Sequence, residues 1–460
     1  MKIYPLTGLK VKEGVAKAVS TPPYDVVTRE EALGAAEDNP LSFFHISRAD
    51  VDLRPSIHPH DPEVYRQAAA NFSCFQKVGV FEKVEPPSFY VYGQQMNEHW
   101  QYGLYTLLSV DDYLDNVIKK HEKTRQDKEE DRLELQTSLR TQSGPVFLMY
   151  RDDAAISKII GKATLEEPEF SFTTEDKVTH AIWLVPKREG EFLEKLFHKI
   201  PAAYIADGHH RAAAAVRYCQ QQRSLMPNYS GLESFNWFMG VLFPASQLTI
   251  YAYNRLVADL NDLSYDAFIQ RVGEVCVVEK LPPHTQLPGQ DLFPSQSTQK
   301  SPNRFHLQSS LFRRFFKNRA PKNQNKAPNP CPSPISFFMY THSTWHKLTF
   351  PVNESPLTDF TTPSSLIEQL AVSVLQNKIL GPILGIHDPR ISPRISFVGG
   401  IKGSDYLMQQ VDSHSAAAAF LMPPISADTI MTLADNSQIM PPKSTWFEPK
   451  LRCGFFLHVV

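Results

Sequence analysis

The chain has 460 residues, 42% of them hydrophobic and 21% charged, and its 47 Lys and Arg against 49 Asp and Glu leave a formal net charge of -2. That balance excludes a wholly disordered chain, and it shows no whole-chain basicity of the kind a nucleic-acid or anionic-membrane partner draws on. Proline is in excess, 36 residues against 20 Gly, where average usage gives about 23 and about 32.

The start, MKIYPLTGLKVKEG, has no apolar signal region. Short runs rich in Tyr, Val and Phe then predict strands at 23–27, 41–47 and 88–96. Helices are predicted at 29–37 and at 61–79, the second with Asp61 as N-cap and Pro62 at the first helical position. A strand at 104–110 precedes a long charged helix over 111–140, where acidic residues stand four before basic ones. Strands follow at 144–151, 179–186 and 201–206, with a short helix at 189–200 and an Ala-rich helix from 211 to 225. Strands at 234–244 and 248–257 complete this part.

The proline excess concentrates next: ten of the 36 lie in residues 281–334. No acidic residue occurs between Asp291 and Asn353, while Lys300, Arg304, Arg313, Arg314, Lys317, Arg319, Lys322 and Lys326 add positive charge. The stretch reads as a solvated linker or insertion. The competing reading is a basic arm, with Phe305, Phe312, Phe315 and Phe316 as stacking groups for an acidic partner. Strand patterns return at 335–350, 394–400 and 417–423, and helices are predicted at 363–380, 403–412 and 426–436. Strands and helices mix throughout, which predicts an α/β or α+β fold. No run of about 18 apolar residues suggests a membrane span. The five Cys, at 74, 219, 276, 331 and 453, include no C-x-x-C pair, so reduced thiols in a cytoplasmic protein are expected.

The segment 201-PAAYIADGHHRAAAAV-216 carries the most chemistry. A strand ends, Gly208 permits a sharp turn, and a helix starts at once. Its free N–H groups and positive dipole end face the turn. His209, His210 and Arg211 add up to three positive charges, and Arg holds phosphate in a two-pronged fork. Asp207 is the one anion, suited to Mg²⁺ or to orienting a His. The pattern is that of a phosphate site; the plainer reading is a surface turn whose His pair caps the helix. On the charged stretch, His121, Glu122, Thr124 and Arg125 would place a carboxylate base beside cations, or form a salt-bridged solvent face. The segment 442-PKSTWFEPK-450 offers Lys443, Ser444, Thr445 and Trp446 as a binding loop or a packed tail, and 22-PPYDVVT-28 adds Tyr24 and Asp25 as candidate substrate contacts. The P-loop, Rossmann, zincin and G-x-S-x-G fingerprints are absent.

ADGHHR with its Ala-rich helix, HEKTR upstream, PPYDV near the start and MPPKSTWFEPK near the end together resemble the domain of unknown function 1015 family. The resemblance covers nearly the whole chain outside about 281–334. It implies a ParB/sulfiredoxin-like core at 101–280 with mixed sheets, an additional N-terminal α+β region at 1–100 and a C-terminal α/β domain at 335–460. Over about residues 100–220 the core is similar to free serine kinases, which carry the same DGHHR turn and make O-phospho-L-serine. By that resemblance Asp207, His209, His210 and Arg211 would hold the transferred phosphate, Asp207 would bind Mg²⁺, and Glu122 would be the base. Gly208, His121, Thr124 and Arg125 would stand at the nucleotide. The donor would be ATP, ADP or pyrophosphate and the acceptor L-serine, in a chain that could form a homodimer. Two alternatives stay open. One is a ParB-like nucleotide-binding regulator, with nucleic acid engaged through the basic insertion. The other is a nucleotide or phosphoester hydrolase.

Overall fold

Capping residues start the first long elements. The Thr28 hydroxyl accepts from the Glu31 N–H at 3.2 Å, and the Glu31 carboxylate accepts from the Thr28 N–H at 2.8 Å, opening the helix Arg29–Glu37. Thr28→Ala removes one half of this exposed box and should cost about 1 kcal/mol of stability, read as a lowered melting temperature; an unchanged melting temperature would contradict it. Asp61 accepts from the Glu63 N–H and Pro62 occupies the first turn of the helix Pro62–Lys77. Val64, Tyr65, Ala68, Phe72 and Phe75 form its buried face, at the three- and four-residue spacing of an amphipathic helix.

The computed structural model describes residues 1–282, 285, 287, 334–351 and 363–460. Apart from 281, 282, 285, 287 and 334, the Pro-rich basic insertion expected at 281–334 lies outside the described residues, its Phe and Lys/Arg positions included. The chain divides into two units, with the boundary between Ile250 and Tyr251; Ser426–Met440 and Phe447–Val460 belong to the first. Mixed α/β architecture is present in the first unit, and the described part of the second is an antiparallel sheet with helices. Among the described residues no helix is long and apolar enough to cross a membrane.

The first unit is built on a sheet with the order Ile118–Lys119, Ala203–Asp207, Val146–Tyr150, Trp237–Pro244, His99–Ser109, Tyr90–Met96, Thr179–Leu184, Phe170–Thr173; Ile3–Tyr4 pairs with His99–Ser109 off that path. Ala203–Asp207 runs parallel to Ile118–Lys119, and Trp237–Pro244 runs parallel to Val146–Tyr150. The other pairings are antiparallel. Leu104, Leu108, Leu148, Ile205, Ala212 and Leu242 are fully buried in the core between sheet and helices. The helix His209–Leu225 packs against Gln126–Leu139. A smaller sheet joins Phe81–Lys83, Leu9–Val11, Phe456–Val459 and Thr141–Gln142, so the chain's last strand is held by one of its first.

Four expectations need correction. Residues 23–27 are a turn closed by the Val26 N–H on the Pro23 carbonyl, and 41–47 form a turn and the short helix Phe44–Ser47. There the Asn39 side chain accepts from the Leu41 N–H at 3.2 Å, a local bond that outcompetes the β preference of Phe and Ile. The single helix expected over 111–140 is interrupted. It comprises Val110–Leu114, the strand Ile118–Lys119, an irregular segment at 120–125 and the helix Gln126–Leu139. Asn116, at φ 58, ends the first helix. Ile118 is fully buried where it pairs with Ala203, and burial overrides helix propensity. The helix expected at 363–380 is broken where Leu370 turns extended, at ψ 131.

The second unit holds an antiparallel sheet with the order Val277–Lys280, Thr344–Phe350, Ile335–Thr341, Ala418–Leu421, Thr249–Val257, Ile395–Gly399. A two-residue turn with His342 and Ser343 at positive φ links the central hairpin, the turn class that matches strand twist. The helix Gly403–Asp412 covers the sheet, burying Leu407 and Val411.

Candidate functional site

The strand Ala203–Asp207 carries a register irregularity between Ile205 and Asp207. Such a bulge re-aims the side chains around it. Gly208 follows at φ 91, ψ 28, and the helix His209–Leu225 starts there without a side-chain cap. The turn requires glycine twice over. Its φ is left-handed, and a Cβ would lie 3.0 Å from Arg211 Nε and Nη2. The expected strand–turn–helix is therefore present, with Asp207 at its edge.

Two cations hold the Asp207 carboxylate: Oδ2 lies 3.5 Å from Lys450 Nζ and 3.7 Å from Arg211 Nη2. The Arg211 side chain is 9% exposed and donates through Nη1 to the Pro145 carbonyl. Burial opposes its charge, but Asp207 and Asp25 more than offset that and keep its pKa above the ordinary value. Its Nε has no partner among the described residues. Gly144 closes over it, where a Cβ would meet Cys453 Sγ at 3.0 Å and Arg211 at 3.6 Å.

The irregular segment 120–125 is held against the helix start by two contacts. The His121 and His209 rings meet edge to face with centroids 4.7 Å apart. The Arg125 N–H donates to His210 Nε2 at 3.0 Å, so that nitrogen carries no proton. His121 is 2% exposed, and burial drives its pKa down to about 4; His209, 6% exposed, is driven well below its ordinary value by burial and by His121. His121 and His209 are neutral at pH 7. His209 thus adds no charge at this pH, and the cations paired with Asp207 are Arg211 and Lys450.

Neutral buried histidines have a consequence for acid stability. His121 and His458 are both pushed down to about 4, by burial first. Between that value and the unfolded value of about 6.5 the unfolded chain binds more protons, so this stability is present above about 6.5 and is lost as pH falls toward 4. Each histidine should remove about 2 kcal/mol between pH 7 and pH 5. Urea unfolding of wild type and His121→Gln at both values checks this; an unaltered pH slope in the variant would contradict it.

Glu122 and Thr124 line a cavity of about 330 Å³ together with Tyr113, Lys120 and Lys123. Lys120 lies 4.0 Å over the Tyr113 ring, and burial lowers its pKa. Arg125 is exposed and pairs with Asp127 at 2.8 Å. Tyr24 is buried under the Arg132 guanidinium, 3.7 Å from its ring centroid, and burial raises its phenol pKa. Asp25 is exposed and acts electrostatically on Arg211. Both line a second cavity of about 290 Å³ with Arg48, Lys128 and Arg132.

Lys443, Ser444 and Trp446 belong to the second unit, Lys443 over the Tyr253 ring and Trp446 edge-on to it at 5.0 Å. Ser444 donates to the Pro441 carbonyl at 2.6 Å, and Thr445 opens the strand Thr445–Glu448. From the same motif it is the second lysine, Lys450, not singled out as a site residue, that reaches Asp207. Phe447, buried and packed on Phe147 at 5.7 Å, holds this end of the motif in the first unit, which the sequence did not reveal.

The family model described as "Protein of unknown function (DUF1015)" matches residues 3–373, and the chain belongs to that family. No curated protein matches it in sequence. Among solved structures it is similar to a free serine kinase in complex with AMP, at 12% identity and TM-score 0.33 over 75% of this chain and 86% of that one. It is also similar to a conserved hypothetical protein from Pyrococcus furiosus, at 12% and 0.30 over 75% and 90%. A third is SbnI with C-terminal truncation from Staphylococcus aureus, at 10% and 0.32 over 76% and 85%.

Proposed function

We propose that the protein is a small-molecule phosphotransferase with a ParB/sulfiredoxin-like core, which transfers a phosphoryl group from ATP, ADP or pyrophosphate to the hydroxyl of free L-serine. One observation carries this reading: the segment with His121, Glu122, Thr124 and Arg125 is docked on the Asp207–Arg211 turn, at an uncapped helix start. Phosphoryl transfer needs cations around the phosphate, an in-line hydroxyl and a base. Arg211 and Lys450 supply the cations, and the helix N-terminus adds N–H donors. His209 and His210, neutral, serve as hydrogen-bonding groups. Glu122, on the wall of its cavity, takes the proton from the acceptor hydroxyl.

Asp207, paired with Lys450 and Arg211, is the carboxylate of the turn; among the described residues no group of three or more His, Cys, Asp or Glu could hold a metal. Mg²⁺ is commonly bound by one or two carboxylates and phosphate oxygens. Asp207 would thus give one ligand and the nucleotide the others, and the ion would neutralise phosphate charge.

The test is incubation with L-serine, Mg²⁺ and each donor in turn, followed by detection of phosphoserine. Glu122→Gln should lower the rate about 100-fold, within the range general bases contribute, while ADP binding stays intact. Absence of phosphoserine with every donor overturns the proposal, and phosphate release that ignores serine would identify a hydrolase instead.

A further inference from the structure

The tail that carries Lys450 lies on one face of the first unit's sheet. Tyr90, Tyr92 and Gln94 share that face of the strand Tyr90–Met96, and Tyr105, Gly103 and Gln101 stand opposite them on His99–Ser109. Phe455 meets the Tyr92 ring at 5.4 Å, and Phe456 meets the Tyr90 and Tyr105 rings at 4.7 Å each. Aromatic burial anchors residues 455 and 456 there. Gln94 and Gln101, both 0% exposed, continue the face in polar form toward Lys450.

The two amides make a directed chain. Gln94 Nε2 donates to the Lys450 carbonyl at 2.9 Å, and Gln101 Nε2 donates to Gln94 Oε1 at 3.0 Å. A carbonyl only accepts, so the Gln94 atom facing it is the nitrogen. The Gln94 oxygen then faces Gln101, whose nearer atom must also be the nitrogen. The chain ends in Gln101 Oε1, which is buried and has no partner among the described residues. A buried acceptor left unpaired costs stability, and apolar side chains of the same shape would avoid that cost. What the amides add is direction: a hydrogen bond fixes the Lys450 peptide, where apolar contact is non-directional.

Other bonds hold the same stretch. The Lys450 N–H donates to Glu448 Oε2 at 3.1 Å, and the Arg452 N–H donates to the Tyr92 hydroxyl at 3.3 Å. That hydroxyl meets His180 Nδ1 at 2.8 Å. From this fixed peptide the Lys450 side chain, 13% exposed, brings Nζ to 3.5 Å from Asp207 Oδ2.

We propose that Gln94 and Gln101 are positioning residues of the candidate phosphate site: by holding the Lys450 carbonyl they set Lys450 Nζ against Asp207. The consequence for phosphate binding rests on the phosphotransferase reading; the placement of Lys450 does not.

The experiment reads the two separately. Reductive methylation of the ligand-free full chain, followed by mass spectrometry, measures how fast Lys450 reacts relative to the exposed Lys158. Calorimetric titration measures the preference for ADP over adenosine. Both are run on wild type, Gln94→Leu, Gln101→Leu and, as a destabilised control away from the amides, Thr28→Ala. Gln94→Leu should speed Lys450 methylation about tenfold and lower the ADP preference about tenfold, the scale of one lost hydrogen bond. Gln101→Leu, one bond further away, should move both in the same direction and by less, and Thr28→Ala should move neither. Three results would overturn the proposal: Lys450 reacts at the wild-type rate in both glutamine variants, Thr28→Ala speeds it equally, or faster reaction leaves the ADP preference intact. Where wild type itself shows no ADP preference, the phosphotransferase reading fails, and the methylation rates alone decide whether the amides place Lys450. Gln101→Leu only shifts the unpaired acceptor from Gln101 to Gln94, so it leaves a folded chain even where Gln94→Leu does not.

Discussion

Asp207→Asn is expected to lower phosphoryl transfer to serine by about 100- to 1,000-fold, the scale of removing one preorganised charge from such a site. The carboxylate lies 3.5 Å from Lys450 and 3.7 Å from Arg211. It fixes both cations at the helix start, where the transferred phosphate would lie. The amide keeps the shape but loses the charge that orients them. Asp207 is 23% exposed, so the loss should fall on turnover and leave folding largely intact. Steady-state rates of phosphoserine formation, with calorimetric melting as the folding control, make the comparison. A variant rate within threefold of wild type would remove Asp207 from the mechanism.

The second large effect is expected at Gly208. Gly208→Val places a β-branched residue at φ 91, where left-handed backbone costs L-residues about 1–2 kcal/mol, and more for branched ones. The new Cβ also stands 3.0 Å from Arg211 Nε and Nη2, so the guanidinium must move. We expect a loss of about 2 kcal/mol in stability together with loss of ADP binding. Gly208→Ala should show the backbone part of the stability loss with a smaller movement of Arg211. Stability and ADP affinity both equal to wild type in Gly208→Val would show that the turn tolerates side chains and that Arg211 is not placed by it.

Much of the site was legible because it is local. The turn from Ala206 to Arg211 is six consecutive residues, and strand, glycine and Ala-rich helix can be read in one window. The helices Arg29–Glu37 and Pro62–Lys77 were equally plain, since Thr28 and Asp61 cap them through bonds spanning two or three residues. What stayed hidden depends on partners far along the chain. His121 counts as a cation in the sequence, yet burial in the fold makes it neutral. The segment 120–125 carries a helical charge pattern, but the pairing of Ile118 with Ala203, 85 residues away, draws the chain out of the helix before it. Lys450 could not be chosen over Lys443 until Phe447 was seen packed on Phe147. Desolvation and long-range pairing leave no periodicity of their own.

The most direct test of the central claim, that the Asp207–Arg211 turn binds phosphate, is calorimetric titration of the full chain with ADP and with adenosine. ADP is predicted to bind at least about 100-fold more tightly than adenosine, the difference resting on charge-assisted contacts to phosphate, and Lys450→Ala with Arg211→Lys should erase most of that preference. Equal affinity for ADP and adenosine, or an ADP preference that survives both substitutions, would contradict it.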